Sequence, residues 1–430
     1  MSVANPLPAA SLAHALHAAA GIVARVASGR SLSAELERAG DEGIVTSRAA
    51  LIDITHGTLR RFGRSQAIVR ALSRQGQGDP SVEALLWCAL YALESGRYAQ
   101  YTVVDQAVRA CGLLEKWSSK GFVNALLRRF LRERRVLELR LRDDPQTRYQ
   151  HPRWWIDVVR AAFPGEWGPV MEAGNTHPPM CLRVNRRRAD PQLLCERLAA
   201  EGFAARRIGP VGLLLDKPVP VDRLPGFAQG AVSVQDAGAQ QAVDYLDLRP
   251  GQRVLDACAA PGGKSAHILE TADVALTALD IDVVRCARIE RNLERLGLTA
   301  QLKTADCRVL SSWWDGRVYD RVLADVPCSA SGVARRHPDV KWIRRATDIL
   351  AFAARQAQIL NALWPVLAPG GKLLYVTCSV FPQENDGVIK TFLADVPDAR
   401  HLGLPANAPA QCLPDAAHDG FFYALLEKPL

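Results

Sequence analysis

Apolar residues recur at helical spacing through the first third of the chain. From about residue 12 to residue 142, apolar side chains return every three or four positions, as at Leu86, Ala89 and Leu93. This spacing is typical of amphipathic helices that pack in a bundle. The pattern therefore predicts an all-helical N-terminal domain, which we place at residues 1–145.

A short polar segment at residues 75–80 interrupts this helical pattern. It contains two glycines and a proline, which are typical of a loop between helices. Short polar side chains at the start of a helix accept hydrogen bonds from its first free N–H groups. Asp79 or Ser81 is therefore placed to cap the helix that follows.

A different pattern occupies residues 146–230, which we interpret as a linker followed by a small α+β module. Recurrent prolines predict the linker, because proline breaks regular structure. The predicted elements of the module are strands at 182–185, 204–208 and 212–215 and a helix at 191–201. Several arginines lie among these elements, and they are consistent with RNA binding or, equally, with packing inside the module.

Strands alternate with helices through the last domain, residues 231–430. The predicted strands begin near Val254 and span 274–282, 301–306, 319–328 and 372–379, with helices at 265–271, 283–296 and 349–363. Such alternation is typical of an α/β fold with a doubly wound, mostly parallel sheet. We therefore predict a Rossmann-like sheet, with the domain boundary near Gly230.

Acidic and thiol side chains stand where the strands of this sheet are predicted to end. They are Asp280, Asp306, Asp325, Cys328 and Cys378. Ligands of doubly wound sheets bind beyond the carboxyl ends of the strands. This coincidence is the strongest indication of a functional site in the sequence.

The first strand of the sheet leads into a turn of small residues and then a helix. Adjacent glycines let a ligand approach the backbone, and the free N–H groups of a helix start favour polar or anionic groups. An ordinary strand-to-helix turn is the alternative interpretation. The predicted cofactor-binding residues of this turn are Cys258, Ala259, Ala260, Pro261, Gly262, Gly263 and Lys264.

Two further carboxylates favour a nucleoside cofactor. Asp280 stands about 20 residues after the glycines, where a carboxylate can accept both ribose hydroxyls. Asp306 is placed to orient an adenine amino group, although either residue could instead cap a helix. The pattern fits NAD or S-adenosylmethionine. The turn is not Gly-x-Gly-x-x-Gly and shows no pyrophosphate cradle, so S-adenosylmethionine is favoured.

The thiols at the strand ends suggest a particular chemistry. The C5 carbon of a pyrimidine is a poor nucleophile until a thiolate adds to C6, and a carboxyl group near N3 then stabilises the developing charge. A base removes the C5 proton and the thiol leaves. Cys328, Cys378 and Asp325 meet these demands together, although either cysteine alone could be a buried structural residue.

Composition limits the alternatives without choosing among them. No apolar run approaches the roughly 20 residues of a membrane span, and no clear secretory signal is present, so we expect a soluble, cytoplasmic enzyme without a membrane partner. None of the ten cysteines forms a Cys-x-x-Cys pair, so neither a metal site nor a disulfide framework is predicted. The net charge of +8 permits a polyanionic partner.

Basic residues concentrate in two segments. The amphipathic helix predicted at 116–142 carries Arg128 and Arg129, and the segment after Cys328 carries Arg335, Arg336 and Lys341. Both segments are candidates for phosphate contacts, although a solvated surface is the alternative for each.

The motifs support a family resemblance over nearly the whole chain. Segments 101–108 and 120–129 resemble the helical RNA-binding domain of the NusB type. Segment 256–264, the Asp-x-Pro-Cys-Ser segment and Thr-Cys-Ser at 377–379 resemble the RNA 5-methylcytosine methyltransferases of the NOL/NOP2/Sun family, as do 335–342 and 419–423. Within that family, the chain is most similar to the bacterial 16S rRNA subgroup.

The resemblance implies a role for each motif residue. It implies S-adenosyl-L-methionine held by residues 258–264, Asp280 and Asp306, and 16S rRNA as the partner. It makes Cys378 the nucleophile and Cys328 the residue that assists product release, a choice that spacing alone leaves open. Asp325 would contact the target base and is also assigned to the cofactor site. The family commonly has alanine at the position of Val326, a small apolar change. We expect a monomer.

Two other functions stay open at this point. One is methylation of an exocyclic amine or of another RNA class, which the paired cysteines disfavour. The other is an RNA-binding assembly factor with an inactive methylation fold, which the intact acids and thiols disfavour. The modified cytosine is not evident from the residues.

Overall fold

The computed structural model describes residues 11–41, 47–73, 78–405 and 408–430. The chain divides into two compact units. The first contains the chain up to Thr176 together with Ala334–Arg345, and the second contains His177–Val333 and Ala346–Leu430. Residues 75–77 of the predicted interhelical loop lie outside the described residues.

The first unit is helical, as predicted. With helices numbered in chain order, its helices are α1 Leu12–Ala27, α2 Leu32–Asp41, α3 Arg48–Arg60, α4 Phe62–Leu72, α5 Pro80–Ser95, α6 Gln100–Leu113, α7 Lys120–Leu141, α8 Pro145–Tyr149, α9 Arg153–Ala162, α10 Trp167–Ala173 and α15 Val340–Ile343. Their apolar faces share one core, which includes Leu16, Leu90 and Phe130. Asp79 caps α5, because its side chain accepts the N–H of Ser81 at 2.9 Å.

α7 has the predicted amphipathic character. Val123, Leu127 and Phe130 are fully buried on one face, whereas Arg128 and Arg132 on the other face are exposed. The spacing of three and four residues between the buried positions places them along one stripe of the helix. The exposed arginines are therefore available to solvent and to a polyanion.

The prolines at 145 and 152 mark helix starts, whereas the sequence predicted a linker here. Pro145 is the first residue of α8, and Asp144 caps that helix by accepting the Thr147 N–H at 2.8 Å. Pro152 directly precedes α9. Proline is favoured at the first helical position because its missing N–H has no intrahelical partner there. The predicted linker thus contributes three helices to the first unit.

The segment Ala334–Arg345 is integrated into the first unit by polar contacts. Asp339 Oδ2 accepts the Leu32 N–H at 2.9 Å. Lys341 Nζ donates to Asn175 Oδ1 at 2.7 Å. Arg335 and Lys341 are 2% and 0% exposed, so these two residues do not form the solvated surface that was the alternative for this segment.

The second unit begins with a small antiparallel sheet. Its elements are β1 Met180–Val184, α11 Pro191–Ala200, β2 Ala205–Ile208, β3 Gly212–Leu215 and β4 Val232–Val234. The strand order is β2-β3-β1-β4. Leu194 and Leu198 of α11 pack with Leu182 and Leu213 of the strands. This arrangement contains the predicted α+β elements and adds β4 as a fourth strand.

The large sheet of the second unit confirms the predicted doubly wound fold. Its elements are α12 Ala237–Tyr245, β5 Arg253–Asp256, α13 Gly263–Thr271, β6 Ala275–Asp280, α14 Val283–Leu296, β7 Gln301–Thr304, β8 Tyr319–Asp325, α16 Ala346–Leu363, β9 Leu367–Thr377, α17 Asp386–Asp395, β10 Arg400–Leu402, β11 Gln411–Cys412 and β12 Phe421–Glu427. The order is β10-β12-β9-β8-β5-β6-β7, and β11 pairs with β12.

The direction of the strands locates the ligand edge. β5 pairs in parallel with both β6 and β8, so the connections turn to opposite sides at β5. Such a switch point opens a crevice beyond the carboxyl ends of the strands. The sequence did not predict β12, which adds to β9 in the antiparallel direction.

A buried ion pair joins the small sheet to α13. The Arg183 guanidinium donates to both carboxylate oxygens of Glu270 at 2.8 Å, and it is fully buried. Its Nη1 also donates to the Gly263 carbonyl at 2.7 Å. Arg183 therefore has the packing role that the sequence left open for the arginines of this module.

A helix that crosses a bilayer is long and apolar. In residues 11–41, 47–73, 78–405 and 408–430, none of the helices has the length and apolar character that a bilayer crossing requires.

Candidate active site

The predicted strand-end residues lie together at one edge of the large sheet. β6 ends at Asp280, β8 ends at Asp325, and Cys378 directly follows β9. Because these strands are parallel, their carboxyl ends lie at the same edge. One cavity at this edge is lined by all five residues, including Asp306 and Cys328.

The two thiols of the cavity are in contact. Cys328 Sγ lies 3.3 Å from Cys378 Sγ. The pKa of Cys328 is raised well above 9.0, first by its hydrogen bond to Cys378 and then by burial. Cys328 therefore keeps its proton, and either sulfur can be the donor in this contact. Since the thiolate is the reactive form of cysteine, this contact brings two candidate nucleophiles together.

A lysine from the turn contacts the carboxylate at the end of β8. Lys264 Nζ lies 2.6 Å from Asp325 Oδ2. Burial alone would lower the pKa of Lys264, but the Asp325 carboxylate outweighs it and the pKa is raised above 10.5. The ammonium also lies 5.6 Å from the centre of the Phe421 ring. Lys264 therefore stays charged and holds Asp325 in place.

A second carboxylate, that of Asp256, ends the neighbouring strand β5. Asp256 is 1% exposed, and Ser265 Oγ donates to its Oδ2 at 2.7 Å. Burial, with a smaller effect from the charge of Asp325, raises the pKa of Asp256 to about 7. The two carboxylates therefore differ in environment, because Asp325 has a lysine partner and Asp256 has a hydroxyl.

The turn between β5 and α13 depends on one glycine conformation. Gly262 has φ +94°, which other residues rarely adopt, and a Cβ there would lie 3.1 Å from the Ile289 side chain. Within the predicted cofactor site, Cys258 and Ala260 line the cavity. Ala259 is buried, and the Lys264 side chain reaches Asp325. The turn therefore faces the cavity mainly through its first half.

Asp280 is fixed by the backbone of this turn. Its Oδ2 accepts the Ala260 N–H at 3.1 Å and its Oδ1 accepts the Asp282 N–H at 3.2 Å. Helix α14 is capped by Asp282, whose side chain accepts the N–H groups of Val284 and Arg285. The alternative in which Asp280 caps this helix is therefore wrong, and its carboxylate lines the cavity instead.

Asp306 faces the same cavity with a charged partner. Arg308 Nη2 donates to Asp306 Oδ2 at 2.6 Å, and this hydrogen bond is the main reason that the pKa of Asp306 is lowered. Arg308 also donates to Gln358 Oε1 at 2.8 Å. A ligand that binds Asp306 would share this carboxylate with Arg308.

Several residues that line the cavity were not predicted from the sequence as part of the site. The additional residues that line the cavity are Ala257, Ile281, Arg285, Ala305, Cys307, Arg308, Val326, Pro327, Arg355 and Ile359. Ile281 and Cys307 directly follow the predicted residues Asp280 and Asp306, so the strand-end rule could have found them. Arg355 and Ile359 lie on α16, where no sequence signal distinguishes them from other helical positions.

The basic residues assigned to RNA differ in their surroundings. Arg128 is exposed, and its Nε donates to Asn124 Oδ1 at 3.0 Å. Arg129 is partly buried and donates to Glu133 Oε1 and to the Leu72 carbonyl. Arg336 is also partly buried.

Burial argues against two of the assigned RNA contacts. Arg335 and Lys341 are 2% and 0% exposed within the first unit. A guanidinium or ammonium that is enclosed by protein has little surface left for a phosphate. The exposed Arg128 therefore fits an RNA contact better than Arg335 or Lys341 does.

Three family models match successive parts of the chain. The NusB family matches residues 15–132, the ferredoxin-like domain of RsmF/B-like methyltransferases matches residues 151–222, and the 16S rRNA methyltransferase RsmB/F model matches residues 243–427. The last match covers β5 to β12 and so includes every residue that lines the cavity.

Relatives resemble the chain over nearly its whole length. It is 43% identical over 430 residues to ribosomal RNA small subunit methyltransferase B of Pseudomonas syringae pv. tomato, with 96% of each chain covered. Its fold is similar to that of PH0851, with a TM-score of 0.81, 24% identity and coverage of 98% and 99%. A methyltransferase homolog protein from Pyrococcus horikoshii matches with a TM-score of 0.59 and 29% identity, over 66% of this chain and 98% of that one.

Proposed function

The chain belongs to the RsmB/F family of 16S rRNA methyltransferases, and from this premise we propose that it methylates C5 of a cytosine in 16S rRNA through a covalent adduct of Cys378. The observation that carries the proposal is the contact between two thiols, 3.3 Å apart, in a cavity that carboxylates line. Methylation at a nitrogen needs no thiol, because an exocyclic amine or ring nitrogen already has electrons to donate. Carbon C5 gains nucleophilicity only when another nucleophile adds at C6.

The methyl donor is S-adenosyl-L-methionine, and the cavity suits a nucleoside of that kind. Asp280 and Asp306 present carboxylates near the ends of neighbouring strands, where ribose hydroxyls and an adenine amino group can donate to them. When bound, the donor supplies a methyl group on a sulfonium sulfur.

Cys378 begins the reaction as the nucleophile. Its thiolate adds to C6 of the cytosine. The electron pair of the C5–C6 double bond shifts to form a C4–C5 double bond, so the ring becomes an enamine that is nucleophilic at C5. The Lys264–Asp325 pair, joined at 2.6 Å, is placed to pass a proton to N3 and so to stabilise the ring while it is electron-rich; the proton returns when the adduct breaks down. C5 would then take the methyl group from the bound donor, whose sulfonium sulfur would become a neutral thioether.

Two events complete the turnover. A base removes the C5 proton, and the electron pair left behind re-forms the C5–C6 double bond while the C6–S bond breaks. Cys378 leaves as a thiolate. Cys328, 3.3 Å away and protonated, stabilises this leaving sulfur by donating its S–H hydrogen bond, which agrees with a role in product release.

The RNA substrate has to present an unstacked base. A cytosine inside a helix cannot reach a thiol at the bottom of a cavity, so the target must lie in a single-stranded segment or turn out of its stack. The net charge of +8 and the exposed arginines of α7 suit binding to the phosphates around such a base.

Methyl transfer to unmodified 16S rRNA tests the proposal. Radiolabelled methyl groups should enter the RNA, bisulfite sequencing should show one new protected cytosine, and the released nucleoside should be 5-methylcytidine. A different methylated nucleoside, such as one modified at an exocyclic amine, would refute the C5 chemistry. Tight RNA binding without any methyl transfer would instead identify an assembly factor.

A further inference from the structure

A buried carboxylate lies behind the two thiols. Glu384 is 0% exposed and follows β9 in the chain. Its Oε1 accepts the Ser329 N–H at 2.8 Å and the Gln356 side-chain amide at 3.1 Å. Its Oε2 accepts the Ser329 hydroxyl at 2.5 Å and the Ser379 hydroxyl at 2.6 Å. Four donors therefore converge on one carboxylate inside the protein.

These donors come from the two loops that carry the thiols. Ser329 directly follows Cys328, and Ser379 directly follows Cys378. A hydrogen bond to a charged group is shorter and roughly twice as strong as one between neutral groups. By binding both serine hydroxyls with one oxygen, Glu384 couples the position of one cysteine loop to that of the other.

Neighbouring groups extend this coupling. Gln356 donates to the Pro327 carbonyl at 3.0 Å as well as to Glu384, so it braces the residue before Cys328. On the other loop, Asn385 Nδ2 donates to the Ser379 carbonyl at 3.0 Å. Each cysteine is thus held from the residue beside it, through buried side chains that are hydrogen-bonded to one another or to the backbone.

We propose that Glu384 is a positioning residue that holds the Cys378 loop in place for attack on C6 and keeps the Cys328 loop beside it for release. This rests on the proposed reaction, in which the Cys378 sulfur must reach C6 and Cys328 must then reach that sulfur as it leaves. The Glu384 charge also contributes to the raised pKa of Cys328, after the effects of Cys378 and of burial. The same carboxylate therefore favours the protonated form of the cysteine that assists release.

A glutamine cannot replace this carboxylate. Its amide has a single acceptor oxygen, and its NH₂ group is a donor that would face serine hydroxyls now bound to an acceptor. We expect Glu384→Gln to lower kcat by about 10²-fold, because displacements near 1 Å at a reacting group have effects of that size. The KM for S-adenosylmethionine should change less than twofold, since Glu384 does not line the cavity.

The decisive measurement is the rate of adduct formation. In a Cys328→Ala background the full-length protein should accumulate a covalent complex with 16S rRNA, and adding Glu384→Gln should slow its formation at least about tenfold. Asp386→Asn, which removes an exposed carboxylate from the same segment, is the matched control and should leave the rate unchanged. A role in stability alone would lower the unfolding temperature without slowing adduct formation by the folded protein.

The outcomes separate this proposal from the reaction it rests on. If Cys328→Ala gives no adduct while Glu384 is intact, the covalent reaction itself is refuted. If the adduct forms and Glu384→Gln does not slow it, only the positioning role is refuted. Should Glu384→Gln fail to fold, the Ser329→Ala/Ser379→Ala double variant, which removes two of the four donors, decides instead: an unchanged adduct rate would overturn the proposal.

Discussion

Lys264 Nζ lies 2.6 Å from Asp325 Oδ2, so the cation of the glycine-containing turn is paired with the carboxylate that ends β8. The resemblance assigned both residues to the cofactor site, and Asp325 to the target base as well. The ion pair connects the two assignments. It places a fixed charge pair between the turn, where the cofactor is expected, and the two thiols, where the base is expected.

Lys264→Met should therefore impair turnover more than cofactor binding. Loss of the ammonium leaves Asp325 free to move, and we expect kcat to fall by about 10²-fold. The dissociation constant for S-adenosylmethionine, measured by calorimetry, should change by less than about threefold. An equal loss of cofactor affinity would show that Lys264 acts on the cofactor directly.

Cys378→Ala should abolish methyl transfer and leave the fold intact. Without this sulfur nothing adds to C6, so C5 stays unreactive. Radiolabelled transfer to unmodified 16S rRNA is the measurement, and unchanged cofactor binding is the control for folding. Methylation by this variant would rule out Cys378 as the nucleophile.

Cys328→Ala should trap a covalent complex between the protein and its RNA. Cys378 can still add to C6, but its departure lacks the S–H donor 3.3 Å away. The complex should appear as a slowly migrating band on a denaturing gel and should disappear in the Cys328→Ala/Cys378→Ala double variant. If the band forms with Cys378→Ala alone, the two cysteines have exchanged roles.

The sequence predicted the core of the site because strand ends obey a topological rule. Alternating strands and helices predicted a parallel sheet, and a parallel sheet places Asp280, Asp325 and Cys378 at one edge. The antiparallel strand β12 was not predicted, since an apolar run near the end of a chain has no marker of its direction. Its pairing with β9 became evident only from the folded sheet.

Buried charges were the main obstacle to prediction. Glu384 and Lys341 belong to residue types that usually lie on protein surfaces, so a single sequence offers no sign that they are buried. Their environments arise from segments that are distant in the chain, such as the loop at Ser329 for Glu384. The same limit explains why Arg335 and Lys341 were assigned to RNA.

Arg128→Ala should affect RNA binding, whereas Lys341→Met should affect stability. Arg128 is exposed, so its loss should weaken RNA binding and reduce the slope of log K against log salt by about 0.7 for one phosphate. Lys341 is fully buried, so its loss should change the unfolding temperature and leave the salt slope unchanged. Titrations at several salt concentrations distinguish the two, and a reduced slope for Lys341→Met would restore its assignment to RNA.

The stability of the second unit should fall as the solution becomes acidic, in part because of His267. This side chain is 3% exposed on α13, and burial, followed by the charge of Arg183, lowers its pKa well below 6.5. Below pH 6.5 the unfolded chain therefore binds a proton that the folded chain does not, so the free energy of unfolding decreases as the pH falls. For this one group the slope is at most about 1.4 kcal/mol per pH unit.

His267→Leu removes the titration and should flatten the pH dependence of urea unfolding between pH 7.5 and 5.5. His401→Leu, at an exposed position of the same unit, is the control and should leave that dependence unchanged. An equal decline in stability for the wild-type and His267→Leu proteins would show that His267 does not contribute to it.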